Sequence, residues 1–229
     1  MDNKKILIFS HNYIAHNWLD IVKEQLELMI GSGLYEKSSS IFYCCYAEDE
    51  FDFYKFYNLV KKNDIKQKIN IISHSFNDNE KQTLLLMQQI CKNHPDAYLL
   101  YYHTKGVTTK HRNDIIQERN VLSWRKLMEY FNIENWQKCI DKISTGCDIC
   151  GVLYGYWFSN HHEGNYFAGN FWWTNSNYFN KLPSIENSDN RMGCESLITS
   201  LPHVWHSFYS YSGDLYNHYF DPEEYRNFF

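Results

Sequence analysis

The chain has 229 residues and a formal net charge of −5 at pH 7, with 44% hydrophobic and 18% aromatic residues. This length suits one substantial domain with a sizeable core. The negative net charge argues against binding of nucleic acid through a broad basic surface. A small anionic ligand in a local basic pocket is the better expectation.

The apolar stretches and the cysteines predict a cytoplasmic protein. The apolar part of MDNKKILIFSHNY is too short for the core of a signal peptide. Nowhere does the sequence approach about 18 uninterrupted apolar residues, so no transmembrane segment is expected. The seven cysteines are odd in number and follow no secreted disulfide framework, which predicts reduced thiols.

Short apolar runs alternate with amphipathic stretches up to Gly106, which is typical of βα units and a largely parallel sheet. The predicted strands are 4–11, 39–47, 69–75 and 96–106. The predicted helices are 18–31, 49–62 and 80–94, and Asn79 is the expected cap of the last one.

The pattern changes after Gly106. A helix is predicted where Trp124, Leu127, Met128 and Phe131 recur at helical spacing. The further predicted elements are a short helix over 133–144, a strand over 147–155 and a helix over 191–201. The expected fold class is α/β, with a mostly parallel central sheet flanked by helices and an aromatic-rich C-terminal region.

Polar side chains follow the predicted strands at their carboxyl ends, where open parallel α/β sheets collect ligands. They are His11, Asn12 and Tyr13, then Glu48 and Asp49, then residues 73–75, then His103 to Lys105. For each of these residues outside His103 to Lys105, a polar loop is the favoured explanation. The stretch His103-Thr104-Lys105 is different, because it delivers an imidazole, a hydroxyl and an ammonium in succession after the apolar run DAYLLYY. We expect it to face a ligand.

Neither a phosphate-binding loop nor a zinc site is predicted. The patterns GxxxxGK[ST] and, after the first strand, GxGxxG do not occur, which argues against P-loop kinases and ordinary dinucleotide-dependent enzymes. Cys147 and Cys150 have C-x-x-C spacing, but in a strand they would point to opposite faces. The same holds for Cys44 and Cys45. We therefore expect these cysteines to be small core residues.

The segment 166–183, YFAGNFWWTNSNYFNKLP, is the most unusual part of the sequence. Gly169 permits close backbone approach, Asn170 has both a donor and an acceptor, and Trp172 and Trp173 offer broad π faces to sugar rings. The alternative is an aromatic core patch. Since neighbouring residues of a strand face opposite ways, we expect one tryptophan in the core and the other in an acceptor cleft.

Glu195 is a candidate general base, because it lies in RMGCES, at the expected start of a helix. A solvent-facing acid is an equally good explanation. Arg191 lies nearby and is a candidate for phosphate binding or for pairing with Glu195.

Several motifs together resemble small glycosyltransferases with the GT-A fold, of the kind found in bacterial polysaccharide loci and large DNA viruses. They are YYHTKG, the pair Trp124-Arg125, DICGVLY, FAGNFWW and the acid of RMGCES, within Ile6 to Leu201. The resemblance implies one GT-A-like domain over 1–229, with a nucleotide-sugar-binding half (1–106) and an acceptor-binding half (107–229). It also implies sugar transfer from a nucleoside-diphosphate sugar, with UDP-sugars favoured, to a glycan or another hydroxyl acceptor.

This chain departs from the family at the metal site. In many members the strand that matches DAYLLYY ends in a DxD motif, which holds Mn²⁺ or Mg²⁺ on the donor diphosphate; here His103, Thr104 and Lys105 stand in that place. Departure of a nucleoside diphosphate builds negative charge on its β-phosphate, and a divalent cation normally stabilises that charge. We expect Lys105 to replace the metal, with no cofactor required and with Asp49 or Asp148 as the alternative route to a bound metal.

The resemblance implies further site residues. Inverting members use an acid at the start of a helix after the acceptor loop as the base, and Glu195 holds that place in order, with Asp214 as the fallback. The expected catalytic residues are Glu195, Lys105 and His103. The expected donor-binding residues are Ser10, His11, Asn12, Tyr13, Thr104, Lys105 and Arg191. The expected acceptor-binding residues are Gly169, Asn170, Trp172 and Trp173.

Two other functions stay open at this point. A carbohydrate-binding module would use GNFWW for glycans and the HTKG edge only for structure. A transferase-like scaffold without activity would explain the missing DxD motif. Binding of nucleic acid is not expected, and no oligomeric state is predicted.

Overall fold

A computed structural model describes residues 4–74, 80–108, 114–159, 162–187 and 191–227. The strands are β1 (Lys5–Ile14), β2 (Ser40–Ala47), β3 (Ile69–Ser73), β4 (Ala97–His103), β5 (Ile149–Gly151), β6 (Tyr154–Ser159), β7 (His162–Phe167), β8 (Trp172–Asn175) and β9 (Trp205–Ser207). The helices are α1 (Trp18–Gly31), α2 (Leu34–Lys37), α3 (Glu50–Asn63), α4 (Lys81–Cys91), α5 (Ile115–Glu129), α6 (Trp136–Ser144), α7 (Ser176–Phe179), α8 (Arg191–Ser196) and α9 (Pro222–Arg226). A π-helical turn, Tyr130–Glu134, joins α5 to α6.

The central sheet has seven strands in the order β3-β2-β1-β4-β8-β5-β9, and β6 pairs with β7 in a separate hairpin. Strands β1 to β4 are mutually parallel where they pair, whereas β8 runs antiparallel to both β4 and β5. Strand β9 pairs with β5 in parallel. The arrangement is a mostly parallel sheet flanked by helices, so the predicted GT-A-like, Rossmann-like fold class is confirmed.

Strand β4 lies inside the sheet and is buried along its whole length. Leu99 and Tyr101 face one layer of the core, with α4, and Leu100 and Tyr102 face the other layer, with α1 and α5. A continuous apolar run is what a strand covered on both faces requires. The carboxyl end of β4 is therefore held firmly from both sides.

The structure corrects several predicted boundaries. Strand β4 ends at His103 and not at Gly106, because the chain turns at Thr104 to Gly106. Strand β1 continues to Ile14, because its pairing with β2 continues to that residue, so His11 to Tyr13 lie within the strand and do not follow it. The predicted strand 147–155 divides into β5 and β6 around Leu153, which has a positive φ of 58°. The predicted helix 191–201 ends at Ser196 and continues as a 3₁₀ turn over Leu197–Thr199.

The cysteines are free thiols, and Cys44, Cys45 and Cys150 are buried, as expected. Cys147 is only half-buried, because it lies in the loop before β5, so the expectation of a core position was wrong for this residue. Burial raises the pKa of the Cys44 and Cys45 thiols to about 12, so neither is a thiolate near neutral pH. The expected cap Asn79 lies outside the described residues. Within the described ranges, no helix is long and apolar enough to cross a membrane.

Candidate functional site

The carboxyl ends of β1 and β4 are fastened together by Thr104. The Thr104 amide donates to the His11 carbonyl (3.1 Å), and the Tyr13 amide donates to the Thr104 hydroxyl (3.1 Å). Thr104 is itself buried. Its hydroxyl therefore links β1 to the residue after β4, whereas the prediction was a contact with the nucleotide-sugar donor.

Lys105 follows this junction in a tight turn. Its amide donates to the His103 carbonyl (2.8 Å), and the next residue, Gly106, has a positive φ of 84°. The side chain is only 9% exposed, and Nζ lies 3.9 Å from the centre of the Trp124 ring in α5. No carboxylate among the described residues pairs with this ammonium. A nearly buried cation with an aromatic contact alone is well suited to an anion.

His103 is anchored to the turn that precedes β8. Its Nε2 donates to the Gly169 carbonyl (2.8 Å) and lies 3.9 Å from Glu80 Oε1. Glu80 is buried and also accepts hydrogen bonds from the Tyr101 hydroxyl (2.8 Å) and from Asn170 Nδ2. The imidazole is thus part of a buried polar network with Glu80 at its centre. Glu80 was not among the predicted site residues, since a single acid before a helix has no distinguishing pattern in the sequence.

Gly169 and Asn170 form a tight turn against the same network. Both have positive φ angles, 88° and 55°. A Cβ on Gly169 would lie 2.5 Å from Met128 Sδ and 3.2 Å from Trp124 Cε2, so only glycine fits between the turn and α5. The turn supports His103 and the ring that contacts Lys105.

The expectation that one tryptophan lies in an acceptor cleft was wrong. Trp172 and Trp173 do face opposite sides of β8, but both are fully buried. The Trp172 indole N–H donates to Asn170 Oδ1 (2.7 Å), and that of Trp173 donates to the Asn132 carbonyl (2.9 Å). Helices cover both faces of the sheet here, so neither ring is available to a sugar.

The residues of β1 that were predicted to bind the nucleotide sugar mostly form hydrogen bonds within the protein. Ser10, His11 and Asn12 are buried. His11 Nδ1 lies 2.9 Å from Thr83 Oγ1, and Asn12 Nδ2 donates to the Ser10 carbonyl (3.1 Å). Tyr13 is half-buried, and its hydroxyl donates to Glu48. This hydrogen bond, with burial, raises the pKa of Tyr13 to about 12.

Glu195 lies near the end of α8, which corrects the expected position at the start of a helix. It is half-buried, and it faces Tyr166 of β7. Burial, and after it the negative charge of Glu195, raises the pKa of Tyr166 to about 12. Arg191 begins α8, and its side chain lies outside the described part of the structure.

Two aromatic rings lie beside Lys105. We define this aromatic wall as Trp124 and Tyr216. The Trp124 and Tyr216 rings make an edge-on contact with centroids 5.7 Å apart, and Asn120 Nδ2 holds the Tyr216 carbonyl (3.0 Å). Tyr216 is 40% exposed, so this wall, unlike Trp172 and Trp173, reaches solvent.

The alternative acids lie in structural roles. Asp49 caps α3 by accepting from the Phe51 amide (3.3 Å), and Asp148 accepts from the Val204 amide (2.8 Å). Asp214 accepts from the Tyr216 amide (2.9 Å). Among the described residues, no three His, Cys, Asp or Glu side chains are grouped to hold a metal. Metal independence stays a prediction.

Comparisons with known proteins give a family and a distant structural likeness. No curated protein matches the chain. A solved structure of 4-diphosphocytidyl-2C-methyl-D-erythritol synthase has 9% sequence identity and a TM-score of 0.42, and the match covers 99% of this chain and 97% of that one. A likeness at this level gives no information about activity. The family described as "Domain of unknown function (DUF8361)" matches residues 7–217, and the chain belongs to this family.

Proposed function

We propose that the chain is a glycosyltransferase that moves a sugar from a nucleoside-diphosphate sugar to a hydroxyl acceptor such as a glycan. UDP-sugars are the favoured donors. The observation that supports this most is Lys105, a nearly buried ammonium at the carboxyl end of β4 with an aromatic contact and no paired carboxylate among the described residues. In parallel α/β sheets this edge is where ligands bind.

The proposed reaction forms one bond and breaks one bond at the anomeric carbon of the donor. The acceptor oxygen attacks this carbon while the bond to the β-phosphate oxygen breaks, and the hydroxyl proton passes to the Glu195 carboxylate. Negative charge grows on the departing diphosphate, and the Lys105 ammonium stabilises it. Attack on the side opposite the leaving group inverts the anomeric centre.

The proposal assigns supporting roles to several residues that were expected to contact substrate. His103 and Thr104 hold the edge on which Lys105 sits, since their side chains bond to Gly169 and Tyr13. Gly169 and Asn170 shape the same edge from the other side. For the acceptor we propose the aromatic wall, in which Tyr216 is the exposed ring.

A nucleotide-binding protein without transferase activity is the second candidate. The observation in its favour is that the His103 and Thr104 side chains bond within the protein, which leaves Lys105 as the side chain of this segment that can contact a nucleotide. A carbohydrate-binding module that uses GNFWW is disfavoured, because both tryptophans are buried. A cytoplasmic location stays part of the proposal.

Titration calorimetry with UDP-, GDP- and dTDP-sugars tests the proposed function. Each titration is run in a chelator and again with Mn²⁺. The expected result is binding of a UDP-sugar that persists in chelator, with slow donor hydrolysis. Binding without hydrolysis or transfer would favour the inactive nucleotide-binding protein. Binding that strictly requires Mn²⁺ would contradict the metal-free site, and no binding of any nucleotide would overturn the proposed function.

A further inference from the structure

Three buried polar side chains lie between α1 and α5, beneath the segment His103 to Lys105. They are Gln25, Arg125 and Glu129, and none is more than 4% exposed. Burying a charged pair is costly, and an apolar set of similar volume is often at least as stable. The network therefore calls for an explanation beyond stability.

Gln25 connects Glu129 to the backbone of the candidate site. Its Nε2 donates to Glu129 Oε1 (2.9 Å) and to the His103 carbonyl (3.2 Å). A primary amide has two N–H groups, so one side chain can make both bonds at once. Gln25 thus links the Glu129 carboxylate to the end of β4.

Arg125 makes a second connection of the same kind. Its Nε lies 3.2 Å from Glu129 Oε1, and its Nη2 donates to Glu24 Oε2 (2.6 Å). Its Nη1 reaches the Lys105 carbonyl at 3.5 Å. Two side chains that contact Glu129 therefore also reach the two carbonyls that flank Thr104.

We propose that Glu129 is a positioning residue that holds the segment His103 to Lys105 in place through Gln25 and Arg125. The purpose of this positioning rests on the proposed function, because Lys105 must be fixed to stabilise a leaving diphosphate. The contacts of Glu129 with Gln25 and Arg125 do not depend on the proposed function, and they can be tested without any ligand.

The protonation of Glu129 makes the positioning of the segment His103 to Lys105 depend on pH. Burial raises the pKa of Glu129 to about 7, against the lowering effect of Arg125. The other charged or titratable groups that face it are Glu24 on α1, Lys126 on α5 and Tyr102 on β4. Its Oε2 is buried without a hydrogen-bond partner in the described part of the chain, so this oxygen can carry the proton.

The two protonation states hold the segment differently. Ionised Glu129 accepts from Gln25 and attracts Arg125, which keeps both side chains against the backbone carbonyls. Protonation removes this attraction, and Glu24 is then the carboxylate that draws Arg125, on the other side of the guanidinium. The segment is expected to be held more firmly above about pH 7 than below it.

Nuclear magnetic resonance of the ligand-free protein tests the proposal. The shifts of the Gln25 side-chain amide and the Lys105 carbonyl carbon are followed from pH 5 to 9. Both are expected to titrate with a midpoint near 7, and both titrations are expected to disappear in Glu129→Gln. The matched control is Glu134→Gln. Glu134 lies in the π-helical turn that follows α5 and pairs with Arg226 of α9, so its replacement should leave both titrations unchanged.

Titrations that persist in Glu129→Gln would belong to another group and would overturn the proposal, as would shifts that do not titrate in the wild type. If Glu129→Gln does not fold, Gln25→Met provides the second test. It cuts the connection to His103 and keeps Arg125, so the Lys105 carbonyl should still titrate near pH 7. Loss of this titration in Gln25→Met would contradict the connection through Arg125.

The same samples separate this proposal from the proposed function. UDP binding that varies with pH in the wild type, and loses that variation in Glu129→Gln, supports both. Titration of Gln25 and Lys105 without any UDP binding would leave the positioning contacts established and would overturn the nucleotide site.

Discussion

The ammonium of Lys105 lies 3.9 Å from the centre of the Trp124 ring. This contact joins the end of β4 to α5 and fixes where the cation sits. Trp124 in turn is packed against the Gly169 turn and against Tyr216. A cation supported from several elements is pre-organised, which is what stabilisation of a leaving group requires.

Glu195→Gln is expected to abolish sugar transfer and to leave donor binding nearly intact. The amide keeps the shape of the side chain but cannot accept the acceptor proton. Loss of a general base typically costs about 10² to 10⁴ in rate, which is measured as kcat for transfer alongside calorimetric donor affinity. The control is Asp214→Asn, which removes the fallback acid. Near-normal turnover in Glu195→Gln would remove Glu195 from the mechanism.

Gly169→Ala is expected to destabilise the fold by roughly 2–4 kcal/mol, because it adds strain at positive φ and overpacks a buried position. Its Cβ would meet Met128 and Trp124, whereas a Cβ on Gly33, which has a similar φ of 78°, would meet nothing within 4 Å. Gly33→Ala therefore isolates the backbone strain, about 1 kcal/mol. Urea unfolding of both variants measures the difference. Equal losses would show that the turn is not tightly packed against α5.

Glu129→Gln is expected to gain stability relative to the wild type as the pH rises. The folded-state pKa of Glu129 is raised from 4.5 to about 7, so the fold favours the protonated acid. Its stabilising contribution is complete below about pH 4.5 and is lost as the pH rises through 7. The glutamine does not titrate. The difference in unfolding free energy between variant and wild type should therefore move by roughly 1–3 kcal/mol in favour of the variant between pH 5 and 8.

The same comparison with Glu134→Gln provides the control, since that acid is partly exposed and paired with Arg226. The difference in unfolding free energy between Glu134→Gln and the wild type should change little between about pH 5 and 8. A difference for Glu129→Gln that does not vary with pH would contradict the buried, proton-binding carboxyl.

Much of the N-terminal fold is predictable from local pattern. Strands β1 to β4 appear as apolar runs bounded by polar residues, and α1 and α3 follow from helical spacing. The end of β1 was predicted too early, at His11, because Asn12 and Tyr13 are polar in sequence, yet the strand pairs with β2 as far as Ile14. Pairing between strands distant in sequence decided this boundary, and a local pattern does not contain that information.

The site was predictable in part for the same reason. The place of Lys105 follows from the end of an apolar strand, but its burial depends on Trp124, 19 positions later in the sequence. The adjacent residues Trp172 and Trp173 are predicted to lie on opposite faces of a strand. The sequence pattern does not show that helices cover both faces of the sheet at this strand. Glu80 and Gln25 have no local signal at all, since their roles come from long-range hydrogen bonds to Asn170 and His103.

The central claim is that the Lys105 ammonium binds the donor diphosphate. Lys105→Met tests it most directly, because methionine keeps the apolar stem that packs in the buried site and removes only the charge. A hydrogen bond to a charged group contributes about 1.5–3 kcal/mol. The affinity for UDP, measured by calorimetry, should therefore fall by roughly 10-fold to 100-fold.

Lys55→Met is the matched control, since Lys55 also contacts an aromatic ring, that of Phe51 at 4.2 Å, but lies on the exposed face of α3. We expect Lys55→Met to bind UDP as the wild type does and Lys105→Met to bind it at least about tenfold more weakly. Wild-type affinity for UDP in Lys105→Met, with the fold intact, would contradict the account.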